Sequence, residues 1–533
     1  MKKLIISHLL GSLRCFLLVG STFWLSGGHI GAKERQGTTI VNTEITHTLE
    51  TAKVLPAPLA PPEDLVRRIY LDLLGRIPTK EETVAFLEDS RTDRHHQLID
   101  RLLQHPEMAF YWAGVLDRWL NPPIEEELPP ARQEHLTYLF QALSENRPWD
   151  QISRELLDPD EGKTPGASYY LTSRLDGDRT AQLDSITVAV SSNFFGIQLA
   201  CAKCHDHPFV TRWKQDHYYG LAAFFNTTVR GKKGNLNIVQ DKPAKPLLFT
   251  GKRVGEKNAS MLFLDNQQPK NPNTPNGRAE LVQIAVSPEN PFFRKSMVNK
   301  VWKQLFGIGL VEPVDQVHEE NPATHPKLLE DLALHFSTSG FRIKDLIADM
   351  MHSEAYLRSS QWAGETRPKQ ELYPVSASKP LTENQFATSL SMVTGHYQAI
   401  AAKTKPVGNL DKTVAVRMQM ERDRDYRKLV LRFQQDGSNF EATAAQALYL
   451  SYNETMQKWL RANRGNLLEQ LKTIPENQKL VLDLYLHAYS RRPTPEETTL
   501  LVGLLSENKP NRETILTDIL WAICSSSEFR FVR

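Results

Sequence analysis

The 533 residues suffice for two to four domains and a substantial apolar core. Hydrophobic residues make up 40% and charged residues 24%, an ordinary soluble composition, and 64 basic against 62 acidic residues leave a formal charge of +2. That balance excludes nucleic acid or an anionic membrane as a partner recognised through bulk charge.

Lys2 and Lys3 open the chain, an apolar run interrupted by Arg14 resumes from Cys15 to Ser26, and Gly27, Gly28, Gly31 and Ala32 follow. A charged start, a short apolar stretch and small residues predict a signal peptide over 1–32. The run is shorter than the roughly 20 residues of a stable transmembrane span. Ile30 is large for a cleavage zone ending at Ala32, which leaves an uncleaved anchor open. Cys15 directly follows Arg14, which argues against a lipoprotein cysteine. The mature protein is therefore expected to be periplasmic or secreted. Removal of Cys15 leaves Cys201, Cys204 and Cys524, too few for a disulfide scaffold.

Residues 33–62 read as a Thr-rich leader ending in the stiff "PAPLAPP". Leu65, Ile69, Leu73 and Leu74 then recur at helical spacing, Gly75 stops that helix, and Thr79 with Glu82 forms a capping box for the next. The segment "IYLDLLGRIPTKEE" (69–82) matches "LYLHAYSRRPTPEE" (484–497) at seven of fourteen positions; each is followed by a helix and then by another, "LIDRLLQHPEMAFYW" (98–112) and "ILTDILWAICSSSEFRFV" (515–532), of which "DLIADMMHSEAYLRS" (345–359) is a third echo. Either a helix–turn–helix device is repeated, or common helix-capping grammar recurs. Between 227 and 290 the texture turns β-like in "NLNIVQ", "KPLLFT" and "SMLFLD", and "NQQPKNPNTPNG" is a loop. Helical patterns resume at Pro291, and a polar, Arg-rich stretch spans about 401–437. The expected fold is mainly α: helical domains at 63–226 and 291–533, with a small β-containing insert at 227–290 between them.

The stretch "LACAKCHDHPF" holds Cys201, Cys204, His205 and His207 within seven residues. Cys201–His205 is a C-x-x-C-H string, the attachment pattern of c-type haem, in which two thiols bond the porphyrin and the adjacent imidazole ligates iron. From this composition the string arises by chance in about one chain in a thousand. Phe194, Phe195, Phe209, Trp213, Tyr218, Tyr219, Phe224 and Phe225 lie nearby and could cover a flat macrocycle, or simply form core. Two rivals stay open: a disulfide or redox thiol pair, and zinc or non-haem iron held by Cys201, Cys204, His205 and His207. A second axial ligand could come from His207, His217, His318, His325, Met297 or Met350.

The segments "VRRIYLDLLGRIPT", "LIDRLLQHPEMAFYWAGVLDRWL", "NRPWDQISRELL" and "FFGIQLACAKCHDHPFVTRWKQDHYYGLAAFF" resemble the planctomycete-type, cytochrome-like domain of unknown function 1549. "NPFFRKSMVNKVWKQLFGIGLVEPVD", "THPKLLEDLALHFSTSGFRIKDLIADMMHSEAYLRSS" and "LYLHAYSRRPTPEE" resemble domain of unknown function 1553, which usually follows it. The resemblance implies a secreted protein with one C-x-x-C-H site and no established reaction, and makes a secreted sulfatase-like protein partner plausible. Position by position it picks out Cys201, Cys204, His205, Asp206 and His207, then Asn299, Trp302, Thr324, His325 and Pro326. Asp206 could hold an imidazole as a carboxylate partner. Thr324 reads as an N-cap, which places His325 at a helix N-terminus where the dipole lowers its pKa, suited to ligation or base work. Asn299 reads as a buried hydrogen-bonding residue that, like Asp206, could support the ligands of the site, and Trp302 reads as core.

The expected function is an exported protein carrying covalent haem c on Cys201, Cys204 and His205, acting in electron transfer or an oxidative step. The competing expectation is a secreted scaffold that binds a protein or polysaccharide, its cluster being a disulfide or structural metal site with His205, His207 and His325 as candidate ligands. No G-x-S-x-G or H-E-x-x-H string supports a hydrolase.

Overall fold

The computed structural model describes residues 35–123, 128–160, 163–234, 236–251, 255–406, 408–434, 444–461, 466–507 and 512–532. The predicted signal peptide lies outside the described residues. The described residues are mainly α, 60% helical with a few short two-stranded sheets, as the periodicity predicts. No described helix is long and apolar enough to cross a membrane.

The predicted leader is a correction. Gln36–Ala52 is a helix whose Val41, Ile45 and Leu49 are buried at i, i+4 and i+8. They pack on the helices Pro326–Thr338 and Ile343–Met351. Arg35 Nε donates to Asp349 Oδ1 at 2.7 Å, and a Cβ on Gly37 would collide with the Asp349 carboxylate. Its Thr-rich sequence has weak intrinsic helix propensity, so distant packing decides the conformation. The Pro-rich part is extended, and Ala57 N and Ala60 N donate to Pro374 O and Leu357 O.

Two apolar cores organise the described chain. The first runs from Val41 to Tyr373 and the second from Leu381 to Val532, joined by Leu71 and Ile77. The apolar division falls near residue 375, while the change of texture in the sequence places a boundary at 291. The helix Pro291–Phe306 packs directly on Arg179–Phe195, so residues on both sides of the insert share one core.

The sequence echo is a shared three-dimensional device. Gly75 and Ser490 both adopt the left-handed conformation, at φ 65° and 59°. Arg76 Nε reaches Glu107 and its Nη1 reaches Glu82, each at 2.7 Å, while Arg491 makes the same two contacts with Glu528 and Glu497 at the same distance. Glu82 and Glu497 also accept from the N–H of Thr79 and Thr494. One guanidinium thus ties a capping box to the start of a later helix, twice. Among the described residues the third echo has no such clamp: Glu354 is exposed and lies 4.0 Å from Arg358.

The insert forms two antiparallel hairpins, Thr228–Lys233 with Leu236–Asp241 and Leu248–Gly251 with Gly255–Asn258. "SMLFLD" is not a strand. Phe263 and Leu264 are buried in the first core, and Leu262 N donates to Gly220 O at 3.3 Å. The Arg-rich stretch contains two helices, Lys412–Arg422 and Arg424–Phe433.

Candidate functional site

The C-x-x-C-H turn is held between the two ends of its own neighbourhood. The helix Arg179–Phe195 ends at Gly196, which is left-handed and donates to Ser191 O and Ser192 O. Lys300 Nζ, buried on the helix Pro291–Phe306, caps the same end by donating to Ser192 O at 2.9 Å, Asn193 O at 2.6 Å and Ser296 Oγ at 3.1 Å. The chain then makes a single 3₁₀ turn, Ala200–Lys203, with Cys204 still in the right-handed helical region. In a 3₁₀ turn residues three apart eclipse. Cys201 and Cys204 therefore share one side, and both thiols are exposed and free, while Ala202 faces the core.

His205 follows with its ring half-buried and Nδ1 2.7 Å from Asp206 O. An Nδ1–H donated to that carbonyl leaves the Nε2 lone pair free, the tautomer a metal-ligating imidazole needs. The support is thus the Asp206 backbone, in place of the expected carboxylate. The Asp206 carboxylate instead accepts from Gln215 N at 3.2 Å and faces Lys214, fixing the loop.

His207 closes the loop. Its N–H donates to Trp213 O at 2.8 Å, and its Nδ1 accepts from Val210 N at 3.0 Å and Phe209 N at 3.3 Å. With Nδ1 accepting, the proton sits on Nε2 and the ring offers no outward lone pair. Burial, with His318 and His205 close by, pushes its pKa down. Trp213 is buried and packs on Phe292, with Arg212 over both rings.

A segment more than a hundred residues away completes the site. Val317 N donates to Gly196 O at 2.9 Å, Gln316 bridges Ile197, and Thr211 donates through N and Oγ1 to Glu320 Oε1 at 3.0 Å. Residues 316–320 are thereby fastened just before and just after the motif. Sequence spacing gives no signal for these contacts, and neither Gly196 nor Glu320 stood out in the sequence.

The other expected site residues lie apart from the turn. Asn299 is fully buried and pairs with the backbone of Val311, donating from Nδ2 at 2.9 Å and accepting at Oδ1 at 3.0 Å. It is a structural lock, not a partner of the histidines. The N-cap at Pro326 is His325 itself, while Thr324 Oγ1 reaches back to Leu310 O. His325 packs against Tyr373 and Thr324, and its depressed pKa comes from burial, opposed by Glu44. His205, His207 and His325 are not brought together, and among the described residues no group of three or more Cys, His, Asp or Glu side chains forms a metal site.

Most of the neighbouring aromatics are core. Phe194, Phe195, Trp213, Tyr218, Phe224 and Phe225 are buried, and Tyr219 stacks on Phe249 of the second hairpin with centroids 4.2 Å apart. Phe209 is the exception at 82% exposed. A cleft of about 470 Å³ opens beside Lys203, lined by Leu183, Tyr218, Tyr219 and Leu248 among others.

Residues 40–230 match a family described as a protein of unknown function, DUF1549, and residues 277–505 match a second, DUF1553. The chain joins a DUF1549 domain to a DUF1553 domain. The C-x-x-C-H turn belongs to the DUF1549 domain, and the segment that clamps it belongs to the DUF1553 domain. No curated protein and no solved structure matches the chain.

Proposed function

We propose that this DUF1549–DUF1553 protein is exported to the periplasm or beyond and carries one covalent c-type haem. Cys201 and Cys204 anchor it, each thiol adding across one vinyl group with no leaving group and no net redox change. His205 is the proximal ligand. The bound group supplies reversible one-electron chemistry, which suits electron transfer or an oxidative step on a partner. The chain's own contribution is to present two sulfurs on one side and to hold an imidazole in the ligating tautomer.

The observation that carries this reading is the pairing of two exposed, eclipsed thiols with a His205 whose Nδ1 is already committed to Asp206 O. A buried, purely structural cysteine pair would not need that exposure. Phe209 adds an exposed apolar ring at the same edge, where a protein partner could reach.

The test is expression of the full chain, with its N-terminus, in a host active in haem c maturation. A pyridine haemochrome spectrum and haem staining that survives denaturation are the expected results. Correctly processed, colourless protein with both sulfurs free or bridged to one another would overturn the proposal.

A further inference from the structure

We propose that the cleft beside Lys203 binds a small organic anion with a flat apolar body, the chemistry of an aromatic carboxylate. The site is built by the protein alone and does not depend on what Cys201 and Cys204 carry.

The cleft holds about 470 Å³, a volume suited to a small molecule. One wall is the C-x-x-C-H turn at Lys203, and another is the segment "KPAKPLL" (242–248) between the two hairpins. Leu183, Ala222, Val229 and Leu248 give it an apolar lining. Tyr219 adds a flat ring, held in place by its stacking on Phe249.

The charge of the lining has one sign. Among the described residues its charged side chains are Arg179, Lys203, Lys242 and Lys245, all cations. Only Lys203 has a described carboxylate within ion-pair reach, Asp184 at 3.2 Å. Arg179 donates to Thr228 O at 2.7 Å, Phe225 O at 2.6 Å and Gln182 Oε1 at 3.2 Å. These neutral acceptors satisfy its N–H groups and leave its charge uncompensated, and burial lowers its pKa with no neighbouring charge to oppose the effect. The two lysines of the 242–248 segment are exposed, but their backbone is anchored. Lys242 N donates to Thr227 O at 2.8 Å, Asn226 Nδ2 donates to Lys245 O at 2.9 Å, and Pro243 and Pro246 stiffen the chain between and after them.

Three uncompensated cations around an apolar recess focus a positive potential on it. A neutral apolar ligand would desolvate those cations without pairing them. A bare inorganic anion would leave the apolar walls wet. A flat apolar body bearing a carboxylate answers both features.

The experiment titrates the full-length protein as isolated with 2-naphthoate, 2-naphthol and acetate by isothermal calorimetry. Naphthoate should bind one to one, about tenfold or more tighter than naphthol, which lacks the charge, and acetate, which lacks the rings. Lys242→Ala/Lys245→Ala should weaken naphthoate about tenfold and flatten its salt dependence while leaving naphthol unchanged. Leu248→Asp, at a half-exposed position, should weaken naphthoate as well. Naphthoate that fails to bind, binds no better than either control, or is indifferent to the lysine pair overturns the proposal. Binding confined to Cys201→Ala/Cys204→Ala protein would mean that haem on the turn already fills the cleft, and overturns a separate ligand.

Discussion

His96 Nδ1 lies 2.8 Å from His352 Nδ1, with the two rings parallel and their centroids 4.8 Å apart. The contact joins the helix Arg94–Leu103 of the DUF1549 domain to the end of Ile343–Met351 in the DUF1553 domain. His352 Nε2 is also 2.9 Å from Asp100. Two facing ring nitrogens can share one proton but not two.

Acid should therefore loosen this junction. Burial, then His95 and His352, press the pKa of His96 down to about 4, while burial lowers that of His352 against the pull of Asp100. Asp93, His95, Arg35 and Asp349 are the other charged or titratable groups that act on the pair. The unfolded chain binds protons near 6.5 and the folded one does not, so stability is complete above that value and falls as pH drops toward 4. Allowing for half-exposure, His96 should account for a loss of about 1–2 kcal/mol between pH 7 and 5. Urea titrations at the two pH values measure it, and His96→Asn should flatten the difference. An unchanged pH dependence in that variant would remove His96 as the cause.

The two arginine clamps should differ in weight. Glu107 is fully buried beside Arg76, so Arg76→Met strands a carboxylate and should cost about 3–5 kcal/mol. Arg491 and its partners are each about a fifth to a third exposed, and Arg491→Met should cost about 1 kcal/mol. Chemical denaturation of the two variants decides, and equal losses would contradict the ranking by burial.

Gly220 sits inside the helix Gln215–Ala223, where alanine is ordinarily favoured by about 1 kcal/mol. Here an added Cβ would stand 2.6 Å from Leu262 Cβ and 2.9 Å from Leu262 O. Backbone cannot retreat as a flexible side chain can, so Gly220→Ala should lose a net ~1–2 kcal/mol. A rise in thermal midpoint would show that the Leu262 segment yields.

Lys300→Met should strip the ammonium from the carbonyls of Asn193 and of Ser192, the latter keeping Gly196 N, at a cost of about 1–3 kcal/mol. The effect should be local. Amide exchange at Gly196 and Ile197 should quicken before the second core responds. Uniform quickening across the chain would mean that Lys300 supports the whole fold and not the helix end that precedes Cys201.

The helical class, the Thr79 capping box and the stop at Gly75 were legible because each is encoded within a few residues. So was the C-x-x-C-H turn, whose eclipsed thiols follow from their spacing. The helix Gln36–Ala52 was hidden because its local preference is poor and its partners lie near residues 326–351. Asn299 is buried and bonded, but no pattern announces that its partner is the Val311 backbone. The Glu320–Thr211 contact escaped for the same reason, because it exists only once the chain has folded back on itself. The duplication sat between these cases. Its letters were visible at 69–82 and 484–497, but only the shared arginine geometry separates a common device from coincident capping.

The helix at Gln36–Ala52 carries one more consequence, and it concerns time. Most of its docking surface, the helices Pro326–Thr338 and Ile343–Met351, lies about 300 residues further along the chain. At synthesis rates of about 5–20 residues per second that surface emerges roughly 15–60 s later. Throughout that wait the apolar stripe of Val41, Ile45 and Leu49 has no native partner, which makes it the natural place for a chaperone to hold the nascent chain.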